Sequence, residues 1–105
     1  MKSLVLVLLM SANTHAGELK NFHLNVKDGI FEPTIIQIPA GEKVQIEVQN
    51  NGTSAEEFES VELNREKVVN AGKSIKLFIG PLAKGEYKFF GDFHKKTAQG
   101  KIVAE

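Results

Sequence analysis

The chain has 105 residues, of which 42% are hydrophobic and 25% charged, a composition typical of one small globular domain. Its 13 basic and 13 acidic residues cancel, so no overall charge indicates binding to nucleic acid or to an acidic membrane surface. The sequence contains no cysteine, which excludes disulfide bonds, thiolate metal sites and cysteine nucleophiles.

The N-terminal residues have the pattern of an export signal. A positively charged start is followed by an unbroken apolar run from Leu4 to Met10, and Thr14-His15-Ala16 ends with a small residue. The apolar run is much shorter than the roughly 20 residues of a membrane-spanning helix, and no cysteine follows it to carry a lipid. We therefore predict a signal peptide over residues 1–16, cleaved after Ala16. The mature domain, residues 17–105, is expected in a periplasm or outside the cell, without stable membrane insertion.

The rest of the chain alternates short, apolar-patterned segments with turn residues. From Asn21 to Val26, apolar and polar residues alternate with period two, as in a strand with one buried face. Similar strand patterns recur at residues 35–38, 44–48, 75–79, 87–93 and 101–104. Asn, Gly and Pro separate them, and only Glu62 to Val69 could hold a short helical turn. This spacing predicts an all-β fold, a sandwich or barrel of about six to eight strands.

Two segments concentrate the side chains that could carry chemistry. Carboxylates crowd residues 55–62, and an aspartate and a histidine lie two positions apart within residues 89–96. The candidate metal ligands are Glu56, Glu57, Glu59, Asp92 and His94. Carboxylates this close repel one another unless water, lysine or a metal ion neutralises them, so a solvated surface patch and a metal site are both open interpretations. No Ser-His-Asp arrangement or phosphate-binding glycine loop indicates hydrolytic or nucleotide chemistry.

The order of these features resembles the cupredoxin family over nearly the whole mature chain. The similar segments are the strand that ends in Gln49-Asn50-Asn51-Gly52 and the final hairpin from Gly85 to Val103. The resemblance implies a Greek-key β-sandwich. It places Glu56 at the first copper histidine, Gly91 at the cysteine and His94 at the second histidine, and no methionine occupies residues 97–99. Because a blue-copper centre depends on the cysteine thiolate, the resemblance implies a domain without one.

Two strings are similar to small periplasmic cupredoxin-domain proteins associated with bacterial iron uptake. They are Glu56-Glu57-Phe58-Glu59-Ser60, and Phe89-Phe90-Gly91-Asp92-Phe93-His94 followed by Thr97-Ala98-Gln99-Gly100. This resemblance implies a periplasmic accessory protein that binds iron or copper(II) and whose partner is an iron permease. Asp92 and His94 are expected to share a strand face and to converge on one ion. Carboxylate and imidazole ligands suit iron, Cu(II), zinc or manganese rather than Cu(I).

Two other functions stay open on the sequence. One is an interaction module whose metal site has decayed and whose charged rims dock a permease or another partner. The other is assistance in the oxidation of ferrous iron, which needs an electron acceptor that nothing in this sequence supplies. The sequence therefore favours a binding protein over an enzyme.

Overall fold

A computed structural model describes residues 18–105 of the chain. The predicted signal peptide, residues 1–16, lies outside the described residues. The described part contains nine strands and one 3₁₀ turn. The strands are β1 Lys20–Lys27, β2 Ile30–Glu32, β3 Ile35–Ile38, β4 Val44–Asn50, β5 Glu56–Ser60, β6 Arg65–Val69, β7 Ser74–Ile79, β8 Gly85–Gly91 and β9 Gln99–Ala104, and the 3₁₀ turn is Asp92–His94. No helix within residues 18–105 has the length and hydropathy to cross a membrane.

The strands form two sheets that face each other across one core. One sheet has four strands in the order β2-β1-β4-β7, and the other has five in the order β3-β9-β8-β5-β6. Inward side chains from both sheets, among them Leu24, Val48, Phe58 and Ile102, pack into that core. Some strands that are neighbours in a sheet are not consecutive in the chain. The chain therefore crosses from one sheet to the other between them, as in Greek-key sandwiches. The predicted Greek-key β-sandwich is confirmed.

Three segments differ from the sequence prediction. The structure has nine strands rather than six to eight, partly because residues 56–60 also form a strand, β5. The chain around Pro33 also divides between sheets, with β2 pairing with β1 and β3 with β9. The helical turn considered for Glu62 to Val69 is wrong, since the second part of that segment forms the edge strand β6. Pairing with β5 outweighs the weak local preference of so short a segment.

Strand β5 and the 3₁₀ turn meet at one end of the five-stranded sheet. Along β5, alternate side chains point into the core and out towards solvent. The inward ones are Glu56, Phe58 and Ser60, and the outward ones are Glu57 and Glu59. Phe58 stacks on Phe89 with ring centroids 5.1 Å apart, and Phe31 packs edge-on against both. This aromatic cluster stabilises the register that separates the inward glutamate from its outward neighbours.

Candidate functional site

Glu56 and His94 form a pair beneath the end of the five-stranded sheet. Glu56 is only 2% exposed, and its Oε2 atom lies 2.6 Å from Nδ1 of His94. The other carboxylate oxygen, Oε1, accepts hydrogen bonds from the backbone N–H of Glu57 at 3.0 Å and of Phe93 at 2.9 Å. Both oxygens therefore have partners, which offsets the free-energy cost of burying a carboxylate. Through these contacts Glu56 ties β5 to the 3₁₀ turn.

The turn between β1 and β2 supports His94 from the side. Gly29 lies so close to the imidazole that a Cβ atom on it would come within 2.8 Å of Cγ of His94. The hydroxyl of Thr97 donates a 2.6 Å hydrogen bond to the carbonyl oxygen of Gly29. Sequence reasoning missed both supports, because Gly29 is far along the chain from both His94 and Thr97, 68 positions in the case of Thr97, and such separations give no local signal of contact. The Lys27-Asp28-Gly29 string indicated only that the chain reverses there.

Glu57, Glu59 and Asp92 converge on the outer face of the sheet. Each offers one carboxylate oxygen, and these oxygens lie within 4.8 Å of one another. Glu57 and Glu59 are the outward residues of β5, and Asp92 begins the 3₁₀ turn. All three side chains are half-buried, so water still reaches them. Converging carboxylate oxygens are the ligands that hard cations bind in proteins.

Glu66 on β6 adds a fourth carboxylate beside these three. It is the register partner of Glu59, and its carboxyl group lies close enough to that of Glu57 to affect its pKa. Partial burial, together with the neighbouring Glu66 and Asp92 carboxyls, raises the pKa of Glu57 from 4.5 to about 7. A shared proton relieves the repulsion within this group. Sequence reasoning missed Glu66, because only the pairing of β6 with β5 brings it to the site.

We predict that Glu57→Gln stabilises the protein at about pH 8 and has little effect at about pH 4. The folded-state pKa of Glu57 exceeds its ordinary value of 4.5, so folding favours the protonated carboxyl. The stabilisation from that proton is complete below about pH 4.5 and is lost as the pH rises through about 7. Thermal unfolding at both pH values measures the effect, with Glu32→Gln on the other sheet as the control. The same pH dependence of stability in the wild type and in E57Q would show that Glu57 does not hold this proton.

The carboxylate of Glu56 fills the space in front of Gly91. A Cβ atom at position 91 would lie 2.6 Å from Cδ of Glu56 and 2.7 Å from Cβ of Ala98. The φ angle of Gly91 is −98°, which any residue adopts without strain. Glycine is therefore required at position 91 by the surrounding atoms and not by the backbone conformation.

The structure divides the predicted ligands into two groups. It brings Glu57, Glu59 and Asp92 together on the outer face, and it pairs Glu56 with His94 beneath them. The prediction that Asp92 and His94 share a strand face is wrong, because β8 ends before them and both lie in the 3₁₀ turn. In a 3₁₀ turn, residues two positions apart point in different directions.

Comparison with known proteins identifies the family. A sequence profile of the cupredoxin-like domain family matches residues 1–104. The chain belongs to this family. This cupredoxin-like domain is also 42% identical over 80 residues to the uncharacterized protein RP394 of Rickettsia prowazekii, in an alignment that covers 76% of this chain. The alignment covers 64% of that relative, so the domain spans less than two thirds of its length.

Solved structures share the fold of this cupredoxin-like domain at low sequence identity. Reduced auracyanin from Roseiflexus castenholzii gives a TM-score of 0.70 at 12% identity, with coverage of 85% of this chain and 99% of that one. A purple cupredoxin from Nitrosopumilus maritimus gives 0.62 at 17% identity, with coverage of 80% and 99%. The metal binding domain of the Cu(I)-exporting P-type ATPase CopA of Streptococcus pneumoniae gives 0.74 at 15% identity, with coverage of 85% and 88%. These similarities establish the cupredoxin fold.

Proposed function

We propose that this domain binds a hard metal ion through Glu57, Glu59 and Asp92. The observation that carries the proposal is the convergence of their carboxylate oxygens within 4.8 Å on a face that water reaches. Ionised carboxylates at this spacing repel one another, and a cation bound among them replaces that repulsion with attraction. Iron, manganese and Cu(II) accept such oxygen ligands, whereas Cu(I) prefers sulfur.

Glu56 and His94 act in this proposal as positioning residues. Two ligand atoms about 2.1 Å from one ion and at right angles to each other are about 3.0 Å apart. The 2.6 Å contact between Oε2 of Glu56 and Nδ1 of His94 is therefore too short to accommodate an ion bound by both atoms. Glu56 instead holds His94 and the backbone N–H of Phe93, and so orients the 3₁₀ turn that carries Asp92.

We also infer that the domain has no blue-copper centre. Such a centre needs a cysteine thiolate beside two imidazoles. The sequence has no cysteine, and the position that the family resemblance assigns to it is Gly91. The Glu56 carboxylate fills the space that a side chain at position 91 would need. The residues present do not fit that copper site, so electron transfer through it forms no part of the proposed function.

The proposed setting is a periplasm, where the domain assists the uptake of iron or copper(II) and works with an iron permease. Support comes from the export-signal pattern at the N-terminus and from the two strings that resemble cupredoxin-domain proteins of iron uptake systems. One structural neighbour is the metal binding domain of a Cu(I)-exporting P-type ATPase, so a domain of this fold binds a metal ion within a transporter elsewhere.

Titration with Mn²⁺, followed by the loss of the aqueous Mn²⁺ EPR signal, tests the metal site. Fe²⁺ under anaerobic conditions and Cu²⁺ serve as companion ions. We expect one ion per domain, and we expect E57Q/E59Q/D92N to weaken binding at least about a hundredfold, because it removes every proposed ligand charge. The control E18Q/E32Q/E42Q makes the same change in net charge on exposed residues elsewhere. Equal affinities of the two triple variants would refute the assigned ligands.

A second candidate function is an interaction module whose metal site has decayed. The observation that favours it is the direct contact between Glu56 and His94. The family resemblance places these two residues at copper-ligand positions, but in this domain they contact each other. In this case the charged outer face would dock a permease or another partner. The same titrations separate the two functions. Wild-type protein that binds none of the three ions, yet forms a stable complex with an iron permease, would favour the interaction module.

A further inference from the structure

A groove rimmed by lysines lies beside the proposed metal site, on the outer face of the same sheet. Its volume is about 410 Å³, and a hollow of about 310 Å³ continues it towards Lys101 on β9. The residues that line the groove include Lys88, Phe90, Lys95, Gln99 and Gly100. The half-buried Phe90 gives the groove an apolar floor, Lys88 and Lys95 line it, and Lys101 lines the adjoining hollow.

The groove and the acidic group share a border. Phe90 pairs with Glu59 on one side of β8 and with Gln99 on the other. Lys95 lines the groove, and its Nζ atom lies 3.3 Å from Oδ1 of Asp92. A metal ion bound to Asp92 would compete with Lys95 for this carboxylate. Metal binding would therefore leave the Lys95 ammonium available to an anion in the groove.

Two features favour an anion in the groove: the positive charges of its lysines, and the small number of protein ligands available to the metal ion. Glu57, Glu59 and Asp92 supply three oxygen ligands, while manganese and iron commonly take about six. Lys88 forms no salt bridge within residues 18–105, and Lys101 pairs only with an exposed Glu86, at 2.9 Å. An anion that carries carboxylates would be repelled by the neighbouring acidic residues, and the positive charges of these lysines offset that repulsion.

We propose that the groove holds an organic carboxylate that chelates the metal ion, so that the domain binds the ion together with its chelator. This inference rests on the proposed metal site. Carboxylate groups of the chelator fill the open coordination positions and contact Lys88, Lys95 and Lys101, while its carbon skeleton packs on Phe90. Citrate and salicylate are aliphatic and aromatic members of this chemical class.

Equilibrium dialysis of radiolabelled citrate against the purified protein, with and without saturating Mn²⁺, tests the inference. We expect Mn²⁺ to raise citrate retention about tenfold, a typical coupling between two sites. K88Q/K101Q should bind Mn²⁺ alone as the wild type does, and should lose this gain in citrate retention. K76Q/K84Q makes the same charge change away from the groove and should keep the gain. Parallel dialysis of radiolabelled salicylate distinguishes an aliphatic from an aromatic chelator. A larger Mn²⁺-dependent gain in retention for salicylate than for citrate would indicate that an aromatic chelator packs on Phe90.

The outcomes separate this inference from the proposed function. If Mn²⁺ binds alone but neither chelator is retained better in its presence, the chelator inference is overturned and the metal site stands. The same conclusion follows if K88Q/K101Q shows the same Mn²⁺-dependent gain in citrate retention as the wild type. Absence of Mn²⁺ binding in the metal-only arm overturns both.

Discussion

Replacing Gly91 with alanine is expected to lower the free energy of unfolding by about 3 kcal/mol, at the upper end of the usual cost of overpacking. The added Cβ atom would lie 2.6 Å from Cδ of Glu56 and 2.7 Å from Cβ of Ala98, both of which are buried. Glu56 cannot move aside without breaking its contacts with His94 and Phe93. Urea unfolding at neutral pH measures the loss through the shift in transition midpoint.

Ala98→Gly provides the matched comparison for this result. It removes the atom at 2.7 Å and leaves the contact with Glu56 in place. In a double-mutant cycle, G91A and A98G should therefore cost less together than the sum of their separate effects. Wild-type stability in the Gly91→Ala single variant would show that the space in front of position 91 is not closed.

Glu56→Ala is expected to cause a second large loss of stability, of about 3 kcal/mol. The substitution removes the acceptor for the backbone N–H groups of Glu57 and Phe93, and it removes the partner of His94. Breaking a fully enclosed pair can cost about 5 kcal/mol. We expect the smaller value because the His94 side chain is 36% exposed, so water replaces part of the interaction. Urea unfolding measures this loss as well.

Glu56→Gln separates the shape of this side chain from its charge. Glutamine keeps one oxygen to accept from the N–H groups of Glu57 and Phe93, and places an amide beside His94. We expect it to lose about half as much stability as Glu56→Ala, because the backbone donors remain satisfied. Equal losses in the two variants would mean that these N–H groups do not depend on Glu56. Under the proposed function, Glu56→Ala should also weaken Mn²⁺ binding while the domain remains folded, since Asp92 loses its support.

The fold class could be predicted because period-two hydrophobic patterns translate directly into strands with one buried face. Inward residues recur at alternate positions in β4 and β7, as the sequence indicated. β6 has no such pattern, since Val69 is its single buried residue, and its pairing with β5 became visible only in the structure. The division of the chain at Pro33 likewise depends on partner strands in two different sheets.

The sequence by itself determined the residue types at the site: no thiolate, carboxylates around residues 55–62, and an aspartate and a histidine around residues 89–96. Only the tertiary structure decided how they are grouped. Glu56 and Glu57 are adjacent in the chain but lie on opposite faces of β5, and strand register alone sets which one enters the core. Glu56 meets His94, 38 positions away, because β5 pairs with β8 and places the 3₁₀ turn over the buried carboxylate. Contacts over such separations depend on which strands pair, and that information is not present in any local pattern.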